Sequence, residues 1–446
     1  MRDFLGRGTR AVGWGLAALA FAAASGCRDI LQVQNPQAFT SAAANSPTLL
    51  PAVAAGAEGS FQLSMATFSI MTGMLSDELQ NSSTWIDWKQ VSDGVITKNW
   101  PTAGAYSGAQ DGLLRARYDA IAAVQRFTGV MGDSVKTSPL FIQVEITRAW
   151  ADLELAMGFC ESPPGPGMAT VSDTAMFKQA SDSLTALLPL IQAAHFSAAS
   201  DRTARLNLAN AGIARANLML GNYAAANAAA AAVSAGFEYD ALYSTNSGSQ
   251  NNGMTVQGTF TNNRSYTIRS IWKQYIDTIG GFMRDPYSGM DDPRVPLGHD
   301  NNNAHGNYYG ADGITPFYSM TKYINLNSPI PVTNKAEMNL IQAEVAWHGG
   351  DYATAVSFMN VNRAAVGLPA LTVPSSNPQA GVFSMLLQER FAQMFAQGDR
   401  LEDIYRFGLM ASRVGTGRPL KLPLSYNEEL NNRAIGQGNG KCPGSS

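Results

Sequence analysis

Apolar residues recur at three- and four-residue spacing over most of this chain, and that period is what most constrains its fold. One stripe opens at Pro47, a residue suited to the first turn of a helix, and runs through Leu63 to Met74. Others cover about 111–131, 141–157, 173–194, 203–220, 222–235, 334–348, 351–365, 380–397 and 401–412. Within the third of these stripes, Ile142, Ile146, Trp150, Leu153 and Met157 trace a single helix face. The helices come in neighbouring pairs, and two of the connecting turns are alike. One reads Leu220-Gly221-Asn222-Tyr223 with Ala226 following; the other reads Gly349-Gly350-Asp351-Tyr352 with Ala355 following. Gly is expected to end the first helix of each pair and Asn or Asp to cap the second, with Tyr packed between them. The Ala three residues on permits close helix approach. Two stretches, 80–110 and about 238–333, lack the helical period. The second is rich in Asn, Gly, Ser, Pro and Tyr and holds candidate short strands at 265–271 and 318–326. Long segments of this kind inside a compact body are often functional.

The N-terminus obeys different rules. Arg2, Arg7 and Arg10 precede a small-apolar run over 11–24, which Ser25-Gly26-Cys27 closes. A basic head, an apolar stretch and small residues at a cut describe a secretory leader. The run is shorter than the roughly 20 apolar residues that span a bilayer. Ala24-Ser25-Gly26-Cys27 resembles a bacterial lipobox, which implies cleavage before Cys27 and acylation of its thiol. Ala24 stands where Leu is usual, and an ordinary cleaved leader is the alternative. The expected division is therefore 1–26 as signal peptide and 27–446 as the mature body. Two or more acyl chains would hold such a protein stably at a membrane.

The formal net charge is −3, and the leader alone carries three arginines against one aspartate, so the mature chain is more acidic still. Nucleic acid is thereby excluded as the main partner. Charged residues make up 15% of the chain, below the roughly 25% usual for soluble domains. Neutral hydrogen-bonding side chains fill the gap, which suits uncharged polar ligands. Besides Cys27, only Cys160 and Cys442 occur, both in Pro/Gly-rich segments. In an oxidising compartment they either pair with each other or remain as free thiols.

Little here points to catalysis. His195, His299, His305 and His348 do not form a two-His helical zinc pattern. His299 and His305 flank an Asn-rich loop, read as solvated rather than as a shared metal site, and no cofactor is expected. The stretch 436–441 is one residue short of a phosphate loop. Asp77-Glu78, near a helix end, reads as a solvated or capping pair and Asp291-Asp292 as a turn. Glu389-Arg390, and Arg400 with Asp403, read as ion pairs within the C-terminal helices. Aromatic residues are the better lead. Trp85, Trp88 and Trp100 cluster in the first aperiodic stretch, with Tyr106 behind them and Asn81 and Asn99 nearby. Flat aromatic faces suit sugar rings, Asn side chains suit hydroxyls, and loops on a rigid scaffold are the usual place for binding groups. Packing of the loop onto the helices is the competing use of the same residues. Tyr287, Tyr308 and Tyr309 form a second candidate set, whereas Trp150 and Trp347, on helices, are expected in the core.

The two Gly-Asn/Asp-Tyr turns resemble those of tetratricopeptide repeats, whose unit is about 34 residues. The copies at 221 and 350 are not a whole number of such units apart, so the repeats must be interrupted. Three further regions make the chain resemble the SusD/RagB-like outer-membrane nutrient-binding lipoproteins. The first is Cys27 with Leu31, Val33, Asn35 and Pro36. The second is Glu389, Arg390, Phe395, Gly398, Arg400, Asp403, Arg406 and Gly408. The third is the tail from Leu420 to Asn431. Gln397 and Gln393-Met394 depart from the family pattern, which puts a local ion pair in doubt. The resemblance implies a mostly α fold of tetratricopeptide-like helical repeats, SusD-like, with a scaffold over about 40–235 and 334–412. A loop-rich insertion with short strands over about 238–333 would interrupt it. It also implies a lipid-anchored protein facing the cell exterior that binds oligosaccharides or peptides. Its partner would be a SusC-like TonB-dependent transporter barrel, and no catalytic step is involved. A tetratricopeptide-type scaffold lipoprotein that binds only protein is the alternative.

Overall fold

The computed structural model describes residues 45–96, 104–277, 281–298 and 309–435. The chain divides into two compact units after Leu49. The short first unit is described only at its end, where Pro47–Leu49 forms a 3-10 turn. All other described elements belong to the second unit.

That unit is mostly α. Helix α1 (Leu50–Leu75) leads into strand β1 (Leu79–Asn81), α2 (Ile86–Asp93), α3 (Gly104–Met131) and α4 (Pro139–Gly158). After the two-residue strands β2 (Glu161–Ser162) and β3 (Val171–Ser172) come α5 (Asp173–Ala193), α6 (Ala199–Met219) and α7 (Tyr223–Ala232). The scaffold resumes later with α9 (Lys335–His348), α10 (Tyr352–Ala365) and α11 (Pro378–Gln393), then α12 (Arg400–Arg406), α13 (Met410–Arg413) and α14 (Tyr426–Asn431). Between α7 and α9 lie β4 (Glu238–Ala241), α8 (Gly253–Gly258), β5 (Tyr266–Ile268) and β6 (Ile276–Asp277). They are followed by β7 (Phe282–Arg284), β8 (Asp291–Gly298), β9 (Ser319–Met320) and β10 (Ile330–Asn334).

Each scaffold helix packs on the next: α3 on α4, α4 on α5, and so on through α6, α7, α9 and α10 to α11, with α1 laid against α3 and α4. This nearest-neighbour stacking is the solenoid logic of helical repeats. The two turns singled out above are congruent. Gly221 and Gly350 both adopt positive φ, at 73° and 77°. In each, the residue after the glycine donates its backbone N–H five residues back, Asn222 to Asn217 and Asp351 to Ala346. The caps differ from expectation. Asp351 accepts from the Thr354 backbone N–H. The Asn222 side chain makes no cap and instead donates to Asn217. Ala226 and Ala355 are buried, as close packing requires.

The insertion enters and leaves through the antiparallel pair β4–β10, so its ends meet and the helix stack continues across it. Within it β6, β7, β8 and β9 form one four-stranded sheet, while β5 reaches back to pair antiparallel with β1. The expected strands at 265–271 and 318–326 are present but shorter.

Buried arginines join distant helices. Arg215 on α6 meets Glu154 on α4, Glu337 on α9 and Asp399 before α12. Glu389 on α11 is shared by Arg363 and Arg294. Asp403 binds Arg390 and Arg406. The sequence reading places such pairs within the C-terminal helices. The structure corrects this: Glu389 pairs across the fold rather than with its neighbour, and Arg400 pairs with Asp77 rather than Asp403. Breaking one buried partner away typically costs about 3–5 kcal/mol, because the other charge is left unpaired. Asp291-Asp292 is likewise not a turn. It opens β8, and buried Asp292 grips Arg294. Trp150 is buried in the core, whereas Trp347 is only half-buried and donates its indole N–H to the Gln379 carbonyl.

Candidate functional site

Strand β1 carries the chain from the end of α1 to the first aromatic cluster. Its register with β5 sets Leu79 opposite Ile268 and Asn81 opposite Tyr266. Immediately after β1 the Asn81 side chain closes a tight turn. Its Oδ1 accepts from the Ser83 backbone N–H at 3.2 Å and from the Ser83 hydroxyl at 2.7 Å, and its Nδ2 donates to the Ser83 carbonyl at 2.8 Å. Ser83 Oγ in turn accepts from the Trp85 N–H at 3.2 Å. Asn81 is therefore spent on positioning, not free for ligand hydroxyls as the sequence suggests. Its effect is to set Trp85 at the mouth of α2. The stretch 80–110, aperiodic in sequence, nevertheless contains α2, which places Trp85 and Trp88 about one turn apart. Their rings meet edge to face, with centroids 5.0 Å apart and planes at 76°. Trp88 packs on the core, while Trp85 remains 42% exposed.

A second loop is held against the first. Tyr309 bridges Pro316 in antiparallel fashion, and Asp312 caps the loop tip by accepting from the Ile314 and Thr315 N–H groups. Asp312 donates its backbone N–H to the Ser82 carbonyl at 3.0 Å. Ser82 donates its own N–H to Ser265 and its hydroxyl to Arg264. Arg264 reaches the Tyr309 carbonyl at 3.4 Å. Gly310 completes the contact: a Cβ there would collide with Ser82, so only glycine lets the two backbones approach this closely. Three loops are thus locked together, and they expose Trp85, Ile86, Tyr309 and Ile314. Nothing in the sequence singles out Ile86 or Ile314. The Asp312-Gly313 turn signal is the only local mark that a structured loop stands there.

The remaining candidates fall elsewhere. Tyr106 is not a platform. Helix α3 begins at Gly104, earlier than its apolar stripe indicates, and Tyr106 is fully buried in the core. Trp100, Asn99, Tyr308, Cys27 and Cys442 lie outside the described residues, as do His299 and His305. Cys160 is disulfide-bonded. The His348 ring stacks on Tyr223 with centroids 4.2 Å apart. Among the described residues no group of His, Cys, Asp and Glu could hold a metal ion, and no helix is long and apolar enough to cross a membrane.

Asp77-Glu78 is the clearest correction. Both residues are buried, not solvated. Asp77 binds Arg400 through two oxygens, at 2.6 and 2.9 Å, and also takes the Arg413 Nε at 2.9 Å. Glu78 accepts the Ala396 N–H at 2.9 Å, and burial pushes its carboxyl up to about 8. Desolvation pulls nearby Lys322 down to about 8. These groups brace the base of β1, and hence the aromatic loops beyond it.

The SusD family model matches residues 289–441, a segment that includes Tyr309 and the arginine-carboxylate cluster of α11 to α13. Over that segment the chain is similar to the SusD family. The solved structures agree in fold. A SusD-like protein from Bacteroides fragilis NCTC 9343 superposes with a TM-score of 0.67 at 14% identity, over 90% of this chain and 99% of that one. A SusD superfamily protein from Bacteroides vulgatus ATCC 8482 gives 0.65 at 13% identity, over 89% and 99%. A laminarin binding SusD-like protein gives 0.59 at 15% identity, over 88% and 99%. No curated protein matches the sequence. On this SusD-like scaffold the exposed aromatics sit on loops outside the helix stack, where they can vary without disturbing it.

Proposed function

We propose that this protein is a cell-surface lipoprotein that captures glycans and delivers them, without catalysis, to a SusC-like TonB-dependent transporter barrel. The observation that carries the reading is the exposed Trp85 ring, buttressed edge-on by Trp88, together with Tyr309 exposed on a loop hydrogen-bonded to its own. An aromatic face is electron-rich and attracts the polarised C–H groups of a sugar. Because the loops are already fixed, little ordering cost opposes binding. The likeness to a laminarin binding SusD-like protein supports the same class of ligand. In this reading Cys27 carries the lipid anchor, residues 27–446 form the mature protein, and the platform faces the cell exterior at the outer membrane.

The test is calorimetric titration of the mature protein with a panel of neutral oligosaccharides. Trp85→Ala is the diagnostic variant, since that side chain is 42% exposed and stands outside the core. Binding of at least one glycan, weakened about tenfold in Trp85→Ala, supports the reading. Unchanged binding in a folded variant would remove the platform from the site. Delivery is tested separately, by co-purification with a SusC-like barrel from outer membranes.

A further inference from the structure

A second concavity lies at the other end of β1. It has a volume of about 400 Å³, within the range of small-molecule sites. The 3-10 helix Ser270–Tyr275, the loop at Pro286-Tyr287, α11 and the segment 409–413 enclose it. Its lining combines three features. Tyr287, 41% exposed, and half-buried Tyr275 supply aromatic surface. Gln388 is 9% exposed, and its amide nitrogen is buried without a hydrogen-bond partner. The third feature is charge. Arg400 and Arg413 converge on a single carboxylate, Asp77. The adjacent acid, Glu78, is held neutral at pH 7 by burial and offsets nothing. Arg413 spends only its Nε on Asp77, and its two terminal nitrogens have no hydrogen-bond partner among the described residues. Its guanidinium is stacked over the Trp272 ring at 4.8 Å, which fixes its plane.

We infer that this cavity is a second binding site, for a carboxylate-bearing sugar unit such as a uronic acid. Arg413 holds the carboxylate, Gln388 lies on the cavity wall beside it, and Tyr287 walls the ring. A planar, pre-oriented guanidinium matches a carboxylate better than it matches a hydroxyl. The positive excess left by two arginines on one aspartate selects an anion over a neutral sugar. Asp77 is bound behind this cavity by its two arginines, and Ser83 stands at the aromatic loops. Six residue steps separate them, about 20 Å at most. One acidic oligosaccharide could therefore engage both. The word sugar rests on the glycan reading above; the anion preference does not.

The experiment titrates the mature protein with tri-galacturonate, its trimethyl ester and a neutral trisaccharide, comparing wild type with Gln388→Glu, Arg413→Lys and Trp85→Ala. Wild type should bind the acid at least tenfold tighter than the ester, with an affinity that falls as salt is raised. Gln388→Glu, which places a like charge against the carboxylate, should abolish that preference, and Arg413→Lys should reduce it severalfold. Both variants should melt cooperatively, which separates lost binding from lost fold. Equal binding of acid and ester, or a preference that survives in folded Gln388→Glu, overturns the inference. Acid preference intact while every neutral glycan fails supports this cavity and sinks the aromatic platform. The reverse pattern sinks the cavity alone.

Discussion

Trp85 keeps a face open to solvent because the residues around it are committed elsewhere: Asn81 and Ser83 to a turn, Trp88 to the core, Ser82 to two neighbouring loops. Its removal should therefore cost binding and almost no stability. A tenfold weakening of glycan affinity corresponds to about 1.4 kcal/mol. Glu78 behaves in the opposite way, invisible to ligand and costly to the fold. Its carboxyl titrates at about 8 in the folded state against an ordinary value of 4.5. Between those values the folded protein holds a proton that the unfolded chain releases, so stability is full below about 4.5 and falls as pH rises toward 8. Glu78→Gln keeps an oxygen for the Ala396 N–H and removes the titration. Melting curves should show the variant losing less stability than wild type from pH 5 to pH 8, by up to about a few kcal/mol. Parallel pH profiles would mean that Glu78 is ionised when folded. Neither burial nor partner can be read from sequence at Asp77-Glu78, because Arg400, Arg413 and Ala396 stand more than three hundred positions away along the chain. Tyr106 escapes a sequence reading for a more local reason: Gly104 to Gln110 has few apolar residues to announce a helix.

Elements long enough to repeat their period are legible. The stripes at 141–157 and 173–194 correspond to α4 and α5 with small shifts at their ends. The short ones are not. Helix α2 has eight residues, of which only Val91 and Ser92 are buried, so no apolar stripe marks it. The stripe at 401–412 divides at Phe407-Gly408 into α12 and α13, a break that the continuing apolar pattern hides. The paired turns show how far sequence likeness carries. Gly, Asn or Asp, and Tyr recur and give the same backbone, yet only Asp351 caps with its side chain. Asp351→Ala should therefore lower stability measurably, because it removes an N-cap. Asn222→Ala should cost less, since it loses one amide contact to Asn217 and no cap. Chemical denaturation of the two variants makes the comparison, and equal losses would contradict the difference in capping. The aromatic loops lie at the limit of what an element-level reading reaches. Trp85 and Tyr309 each stand out in the sequence, but the link between their loops is made by Ser82, Arg264, Gly310 and Asp312, none of which announces a binding role.

At the scale of the molecule, the C-terminal segment closes the fold against its middle. Leu422 pairs in parallel with Phe159, the Cys160 N–H reaches the Leu422 carbonyl at 3.3 Å, and Lys421 is buried between Asp173 and Glu402. The chain thus returns to Cys160 twenty residues before Cys442. Cys160 is disulfide-bonded, and Cys442 is the partner we expect for it. A Cys27 acylated on its thiol would be unavailable to form a disulfide. Such a link would close a loop of more than 250 residues, and constraints of that kind typically contribute about 2–5 kcal/mol. Peptide mapping of the secreted protein without reductant should recover one linked pair containing Cys160 and Cys442. Reduction, or Cys442→Ser, should lower the melting temperature while leaving glycan affinity unchanged, because the aromatic loops are braced from β1 and β5 rather than from the tail. Recovery of both cysteines as free thiols would refute the link. Linkage of Cys160 to Cys27 would go further, since it would remove the lipid anchor and with it the proposed station at the outer membrane.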